Sequence, residues 1–188
     1  MAYLLLGFVA EKRESELEKK LTKKLTEAFK KEASWSWFED YLTYANALLP
    51  WALWRQGRIR KDEESLRVAK EATNFLLETC QDGKIPMSIG SNGWYLKGGI
   101  KNKYDQQSVD AGYMVCCLKE AYLATNNIYY LQEAGRWWSW YWGNNTQGVV
   151  MIDKKGGCFD AVSEKDKVNL NQGAESTISF LMAYCCLA

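Results

Sequence analysis

The stretch "YDQQSVDAGYMVCCLKEAYLATNN", residues 104–127, predicts a helix from about Asp105 to Thr125. The stretch that follows it, "IYYLQEAGRWWSWYWGNN", predicts a second helix that ends at Gly143, because glycine commonly follows the last turn of a helix. Consecutive helices with a short connection pack side by side and antiparallel. These two segments therefore predict a helical hairpin.

Helical patterns extend to both sides of this hairpin, with apolar residues three and four positions apart. The final helix is expected to begin near Gly173 or Ala174, and Asp62 and Ser65 are expected to cap another. The fold class predicted is all-α, with about seven helices in antiparallel hairpins, long glycine-rich loops and no strand of consequence. The other predicted helices cover residues 2–10, Ser15–Ala33, Trp37–Trp54 and a segment from Asp62 onward.

Two long loops separate some of the predicted helices. "QDGKIPMSIGSNGWYLKGG", Gln81–Gly99, has five glycines, one proline and no helical period. Residues 146–173 form the second loop, which contains a candidate short hairpin. Because structureless connections of this length are uncommon unless they serve a function, both loops are candidates for a binding site.

Length, charge and hydropathy define the class of protein. The chain has 188 residues, 47% hydrophobic and 25% charged, which fits one globular domain over residues 1–188. A net charge of +1 gives no basis for nucleic acid or a membrane surface as partner. The apolar runs are shorter than the roughly 20 residues of a membrane span, and the first lacks the basic flank of a signal peptide.

The chain has no histidine, which excludes the Ser-His-Asp and Cys-His mechanisms. Acid–base chemistry must then come from carboxylates, Tyr, Lys or Cys. The six cysteines show no C-x-x-C spacing, so we expect no metal site and no cofactor. Vicinal cysteine pairs inside apolar helical runs indicate buried, reduced thiols and a cytoplasmic location.

The predicted Trp37–Trp54 helix carries a second, polar stripe formed by Glu39, Thr43 and Asn46. Pro50 lies inside this pattern and is expected to kink the helix. A solvated helix face usually carries Lys and Glu, whereas this one carries short polar groups beside aromatic residues. The stripe therefore favours a lined cavity.

Acidic residues at predicted helix starts are the candidate catalytic groups. Capping explains such positions on its own, because carboxylates favour helix N-termini. Capping does not require the amide side chains that accompany two of these acids, and amides suit hydroxyl-rich ligands. Alternate helix N-termini of a ring of hairpins would gather at one end, where these groups would meet. The candidates are Asp105, Glu175, Glu39 and Asp40 for catalysis, and Gln106, Gln107, Asn171, Gln172, Trp37, Trp94, Tyr44 and Asn46 for binding sugar.

Four motifs in order, "WSWFEDYLTYANALLPWAL", "GWYLKGG", "YDQQSVDAGYM" and "NQGAEST", resemble the helical-toroid region of glycosidase-related or glycosyltransferase-associated proteins of bacteria and archaea. The resemblance implies a fold similar to the (α/α)6 six-hairpin glycosidases. That toroid has about twelve helices, and this chain has about seven. The resemblance therefore implies a partial toroid, corresponding to its C-terminal half, that a second copy or a partner chain completes.

Three functions fit these observations. The first is a carbohydrate-active enzyme that cleaves or processes a glycosidic bond by carboxylate acid–base chemistry. The second is a non-catalytic carbohydrate-binding or scaffold domain that serves a glycosyltransferase. The third is a helical interaction protein without a small ligand. Asp153, Asp160, Glu164 and Asp166 could in principle bind calcium, but their spacing matches no known loop, which favours solvated charge.

Overall fold

A computed structural model of the protein describes residues 1–9 and 14–188. The described residues form seven α-helices and one turn of 3-10 helix at Ser139–Tyr141, so the predicted number of helices is confirmed. The helices are α1 (Ala2–Phe8), α2 (Glu16–Ala28), α3 (Leu48–Arg60), α4 (Glu63–Thr79), α5 (Ser108–Thr125), α6 (Ile128–Trp138) and α7 (Ala174–Leu187).

In the described part of the chain, nine strands of two to four residues lie between the helices. The sequence predicted one short hairpin and no other strand. They form four small antiparallel sheets, ordered β1–β2, β3–β6, β4–β5 and β7–β8–β9. The strands are β1 (Lys30–Glu32), β2 (Trp35–Trp37), β3 (Tyr41–Leu42), β4 (Gln81–Asp82), β5 (Ile85–Pro86), β6 (Tyr95–Leu96), β7 (Gln106–Gln107), β8 (Ala161–Glu164) and β9 (Lys167–Asn169).

Helices α3 and α4 form an antiparallel hairpin. Trp54 Nε1 donates to Thr73 Oγ1 at 2.8 Å, and nearer the turn Gly57 lies against Leu66. Helices α5 and α6 form the next hairpin. At the end away from its turn, the Tyr141 hydroxyl, just after α6, donates to the carbonyl oxygen of Ser108 in the first turn of α5 at 2.8 Å. The predicted pairing of helices is thus confirmed for both hairpins.

Helices α3 and α5 run in the same direction, with α5 buried between α3 and α7. At their N-terminal ends, Ala45 N donates to Asp110 Oδ1 at 2.6 Å. At their C-terminal ends, Arg58 pairs with Glu120 at 2.5 Å. Contacts that progress in the same sense along both helices require a parallel arrangement.

Helix α7 is also parallel to α5. Ser179 of α7 lies against Gly112 of α5, and seven residues later Cys186 lies against Cys116. The three helices α3, α5 and α7 therefore start at the same end of the molecule, and α4 and α6 return outside them. This order brings the N-termini of alternate helices together.

The prediction of a helix over Trp37–Trp54 is wrong in its first half, since α3 begins at Leu48. Trp35 and Trp37 instead lie in β2 and are buried, and Ser36 between them is half-buried. Asn46 closes a turn by accepting from Thr43 N at 3.0 Å, so the polar stripe does not exist. Pro50 lies in the first turn of α3, where its missing N–H has no helical partner to lose and no kink is required.

Helix α2 has a capping box in which Ser15 Oγ accepts from Glu18 N at 3.1 Å, but it ends at Ala28 rather than Ala33. The Glu18 side chain is buried and pairs with Arg60 of α3 at 2.9 Å. Helix α4 begins as predicted, because Asp62 is its N-cap, and Ser65 Oγ donates to the Asp62 carboxylate at 2.6 Å.

Gly112 sets the spacing between α5 and α7, and its replacement is a test of this packing. A Cβ at this position would lie 2.7 Å from the Ser179 carbonyl oxygen and 2.9 Å from the Tyr141 hydroxyl. We expect Gly112→Ala to destabilise the fold by about 1–3 kcal/mol in urea unfolding. The control is Gly135→Ala on the exposed face of α6, where nothing lies within 4 Å; it should stabilise by roughly 0.5–1 kcal/mol. Equal effects of the two variants would contradict the packing.

Candidate functional site

A polar cleft of about 390 Å³ opens at the end of the molecule where α5 and α7 begin. Two of the sequence-predicted catalytic candidates, Asp105 and Glu175, both line it. They reach it from separate elements, one ahead of α5 and one from the first turn of α7. The lining residues are Ser91, Asp105, Gln107, Val109, Asp160, Ala161, Asn169, Gly173, Ala174, Glu175 and Ser176.

Asp105 is held by the loop that precedes it. Ser91 N donates to the Asp105 carbonyl oxygen at 3.0 Å, and Asn92 N donates to that of Tyr104 at 3.1 Å. Gly90 makes this close approach possible, because a Cβ there would overlap the Tyr104 backbone. The backbone of Asp105 is thus fixed while its half-buried side chain lies in the cleft wall.

The structure changes the interpretation of Asp105 as a helix cap. Helix α5 begins at Ser108 rather than at Asp105, and its N-cap is Gln107, which makes no side-chain capping bond. The two residues between Asp105 and α5 form β7 and pair with β8. Since Asp105 lies outside the helix, capping does not explain its position.

Glu175 lies where the sequence predicted, in the first turn of a helix that begins at Ala174. The N-cap of α7 is Gly173, which has no side chain to satisfy the free amides of the first turn. Glu175 is exposed and lies at the positive end of the helix dipole.

Asp160 supplies the acceptor that Gly173 lacks, a role that the sequence did not reveal. Its carboxylate accepts from Gly173 N at 2.8 Å, from Ser176 Oγ at 2.6 Å and from Asn171 Nδ2. Partial burial raises the pKa of Asp160, but these hydrogen bonds from Ser176, Asn171 and Gly173 outweigh it, and the net shift is downward. A helix that starts at glycine was the available signal, because it requires an acceptor from elsewhere in the chain.

We expect Asp160→Ala to loosen the start of α7. Loss of the capping acceptor should cost about 1–2 kcal/mol of stability and speed amide hydrogen exchange in the first turn of α7. Asp62→Ala, which removes the cap of α4, is the matched control and should speed exchange only there. Unchanged exchange at Gly173–Ser176 in the Asp160 variant would exclude this role.

The four candidate amides are distributed differently from the expectation. Gln107 lines the cleft, whereas Gln106 is buried and its Nε2 donates to Lys103 O and Thr146 Oγ1 at 2.8 and 2.7 Å. Asn171 bonds to Asp160, and Gln172 Nε2 donates to an Asp153 oxygen at 2.9 Å. Of the four, Gln107 is the one that the cleft presents to a ligand.

Glu39, Asp40 and Trp37 do not join Asp105 and Glu175 in the cleft. Glu39 and Asp40 are exposed in a bend before β3, not in the first turn of a helix, and Asp40 lies 3.6 Å from Lys97 Nζ. Trp37 is only 1% exposed. Its ring packs in the core, so neither face is open to a sugar.

Tyr44 and Trp94 form an aromatic pair near the surface, with ring centroids 6.1 Å apart and an angle of 30° between the rings. Tyr44 is 49% exposed. Trp94 has a positive φ of 58°, which is uncommon for a bulky residue. Its backbone N–H donates to the Gly90 carbonyl oxygen at 3.1 Å. The pair is therefore tied to the loop that holds Asp105. Asn46 bonds to Thr43, which leaves it a turn-forming residue.

Asp110 lies behind the cleft in the first turn of α5, and the sequence did not single it out. It is buried, and burial raises its pKa to about 7; the hydrogen bond from Ala45 N opposes this rise, and the charge of Glu175 adds to it. Beside it lies a cavity of about 10 Å³, which Ser88 and Trp137 also line. Asp110 thus links the start of α5 to the turn before α3 by a hydrogen bond, and its pKa depends on the charge of Glu175 in the cleft.

Among the described residues, no group of three or more His, Cys, Asp or Glu side chains has the arrangement of a metal site. Likewise, none of the helices in the described part of the chain has the length and apolar character to cross a bilayer.

Comparison with known proteins gives the fold. No family model matches the chain, and neither does any curated protein. The solved structure of a glycoside hydrolase family 76 mannosidase from Bacteroides thetaiotaomicron is similar, with a TM-score of 0.60 at 17% sequence identity. The similarity covers 75% of this chain and 37% of that one. The chain therefore has a glycosidase-like helical fold and spans about a third of the length of that protein.

Proposed function

We propose that this chain is a carbohydrate-active domain of the six-hairpin glycosidase type, in which Asp105 and Glu175 act on a glycosidic bond. The observation that supports this function best is their shared position in one polar cleft, which Asp105 enters from the segment before α5 and Glu175 from α7. Glycosidic cleavage requires two carboxyl groups on opposite sides of the scissile bond. One protonates the departing oxygen, and the other activates water or attacks the anomeric carbon.

Other residues would hold the sugar. Gln107 and Asn169 line the cleft and offer amide donors and acceptors to hydroxyl groups. The Tyr44–Trp94 pair offers an exposed aromatic surface on the adjoining loop, of the kind on which a sugar ring stacks. The small apolar share of the cleft wall fits a hydroxyl-rich ligand rather than an apolar one.

The first experiment is an activity screen with α- and β-linked oligosaccharides, with and without inorganic phosphate. Release of a reducing sugar without phosphate indicates hydrolysis, and release of a sugar phosphate only with phosphate indicates phosphorolysis. The anomer of the first product, followed by NMR, then reports inversion or retention. Binding of a glycan with no product under either condition supports the alternative below.

The alternative is a non-catalytic carbohydrate-binding or scaffold domain associated with a glycosyltransferase. The similarity covers 37% of the mannosidase chain, and a likeness of fold to that extent fits a binding domain as well as an enzyme. The alternative predicts that Asp105→Asn and Glu175→Gln change glycan affinity without any turnover to lose. A glycan array combined with the activity screen separates the two functions.

We further propose that this chain forms part of a toroid and that a second copy covers the exposed face of α7. The outer face of α7 carries Ile178, Leu181 and Tyr184, which are 56%, 49% and 57% exposed. Apolar side chains at this spacing form a stripe on one helix face, and such stripes commonly mark interfaces. The same stripe on the second copy would pack against these side chains and bury them.

This assembly predicts a dimer at micromolar concentration in size-exclusion chromatography with light scattering. Leu181→Glu should give a monomer, because it places a charge in the apolar contact. Ile100→Glu is the matched control; Ile100 is 91% exposed in a loop, and its replacement should leave the dimer intact. A wild-type monomer would contradict self-association.

A further inference from the structure

Cys116 and Cys186 bring two thiols into contact across the interface of α5 and α7. Their sulfur atoms lie 3.2 Å apart, although 70 residues separate them in the chain. Cys116 is in the middle of α5 and is 1% exposed, whereas Cys186 is half-buried in the last turn of α7. The pair lies at the opposite end of α7 from Glu175, away from the cleft.

We propose that Cys116 and Cys186 are a redox modification site, which a small-molecule disulfide such as oxidised glutathione converts into a reversible disulfide that joins α5 to α7. This site is independent of the proposed function of the cleft. The sequence predicted that all six cysteines are reduced thiols with a structural role. The proposal gives two of these six cysteines a chemical reaction as well.

The helix packing explains why the two sulfur atoms meet. Gly112 precedes Cys116 by one turn of α5, and Ser179 precedes Cys186 by two turns of α7, so each pair occupies one helix face. Gly112 has no side chain, which lets α7 approach closely at Ser179. The parallel direction of the helices then carries Cys186 alongside Cys116.

The two thiols have different roles in the exchange. The hydrogen bond between the sulfur atoms lowers the pKa of Cys186 and raises that of Cys116. Cys186 is also the more accessible of the two, so it is the thiol that a reagent can reach. Cys116 is placed to attack the product of that first reaction.

The exchange balances in two steps. The Cys186 thiolate attacks one sulfur of the reagent disulfide, which forms a mixed disulfide and releases one reagent thiol. The Cys116 thiol then attacks the Cys186 sulfur, and its proton leaves with the departing reagent sulfur as the second reagent thiol. The two protein thiols lose two electrons and two protons, and the reagent disulfide gains them as two thiols.

The other cysteines provide the contrast that the test needs. Cys185 is exposed and directly precedes Cys186, yet it has no thiol partner among the described residues. Cys117 is buried, and burial raises its pKa to about 12. A reagent is therefore expected to add to Cys185 as a stable adduct and to leave Cys117 unmodified.

The test treats the reduced 188-residue chain with oxidised glutathione and then blocks free thiols under denaturing conditions. Mass spectrometry of the digested protein should find a peptide pair linked through Cys116 and Cys186. The linked protein should melt about 5–10 °C higher, because the bond restricts the unfolded chain. Dithiothreitol should reverse both changes.

Two serine variants decide the outcome. Cys185→Ser should keep the linked peptide pair and the rise in melting temperature, whereas Cys186→Ser should lose both while its circular dichroism spectrum remains that of the wild type. The proposal is overturned if glutathione adducts form without the link. A link through Cys185 in the wild type would overturn it as well.

Discussion

Asp105→Asn and Glu175→Gln are each expected to lower turnover of a glycoside by a factor of roughly 10²–10⁴, the usual contribution of a positioned acid or base. Each variant removes proton transfer while keeping the size and polarity of the side chain. Glycan affinity should therefore change little. Steady-state kinetics and isothermal titration with the same oligosaccharide measure the two quantities separately.

The chain offers matched controls for this experiment. Glu39→Gln and Asp40→Asn make the same chemical changes at exposed carboxylates that do not line the cleft. Both should retain wild-type turnover. If either control loses as much activity as Asp105→Asn, or if both cleft variants turn over normally, the assignment of Asp105 and Glu175 is wrong.

Asp110→Asn is expected to stabilise the protein above pH 7, by as much as about 4 kcal/mol. Burial raises the pKa of Asp110 from 3.8 to about 7 in the folded state. Between these values the unfolded chain releases its proton and the folded chain keeps it, so wild-type stability falls as pH rises. The loss is complete above about pH 7, and the difference between 3.8 and about 7 corresponds to roughly 4 kcal/mol.

Urea unfolding at several values between pH 4 and pH 8 measures this effect. The variant should match the wild type near pH 4 and exceed it increasingly toward pH 8, because asparagine has no proton to release and can still accept from Ala45 N. Glu175→Gln should flatten the wild-type slope in part, since the charge of Glu175 contributes to the raised pKa. A constant difference between variant and wild type at all pH values would contradict this interpretation.

Local signals account for the parts of the fold that the sequence predicts. Helix α4 begins at the expected cap Asp62, and α7 begins after the expected Gly173, because capping and apolar spacing depend on nearby residues. The same local signals give a wrong prediction for the segment before α3. Its aromatic residues fit a helical spacing, but Trp35 and Trp37 with a serine between them also fit the two-residue period of a strand, and burial against Phe75 favours the strand.

The site was predictable where it depends on helix starts and hidden where it depends on distant contacts. The parallel order of α3, α5 and α7 brings Asp105 and Glu175 to one end, as the gathering of alternate helix N-termini implies. Asp160 acts on residues that β9 separates from it in the chain, and its pairing with Gly173 requires that fold. In the sequence Asp110 is an acid in the first turn of a helix, a common position. Its burial depends on the turn at Ala45, which contacts it only in the folded chain.

The proposed function requires that the cleft lined by Asp105 and Glu175 binds carbohydrate. A crystal structure of the chain soaked with a mixture of oligosaccharides tests it most directly. We expect a sugar ring in the cleft, with its hydroxyl groups within hydrogen-bonding distance of Gln107 and at least one of the two carboxylates. An ordered sugar found only elsewhere, for example in the larger cavity of about 530 Å³ that Lys84 and Arg136 line, would contradict it.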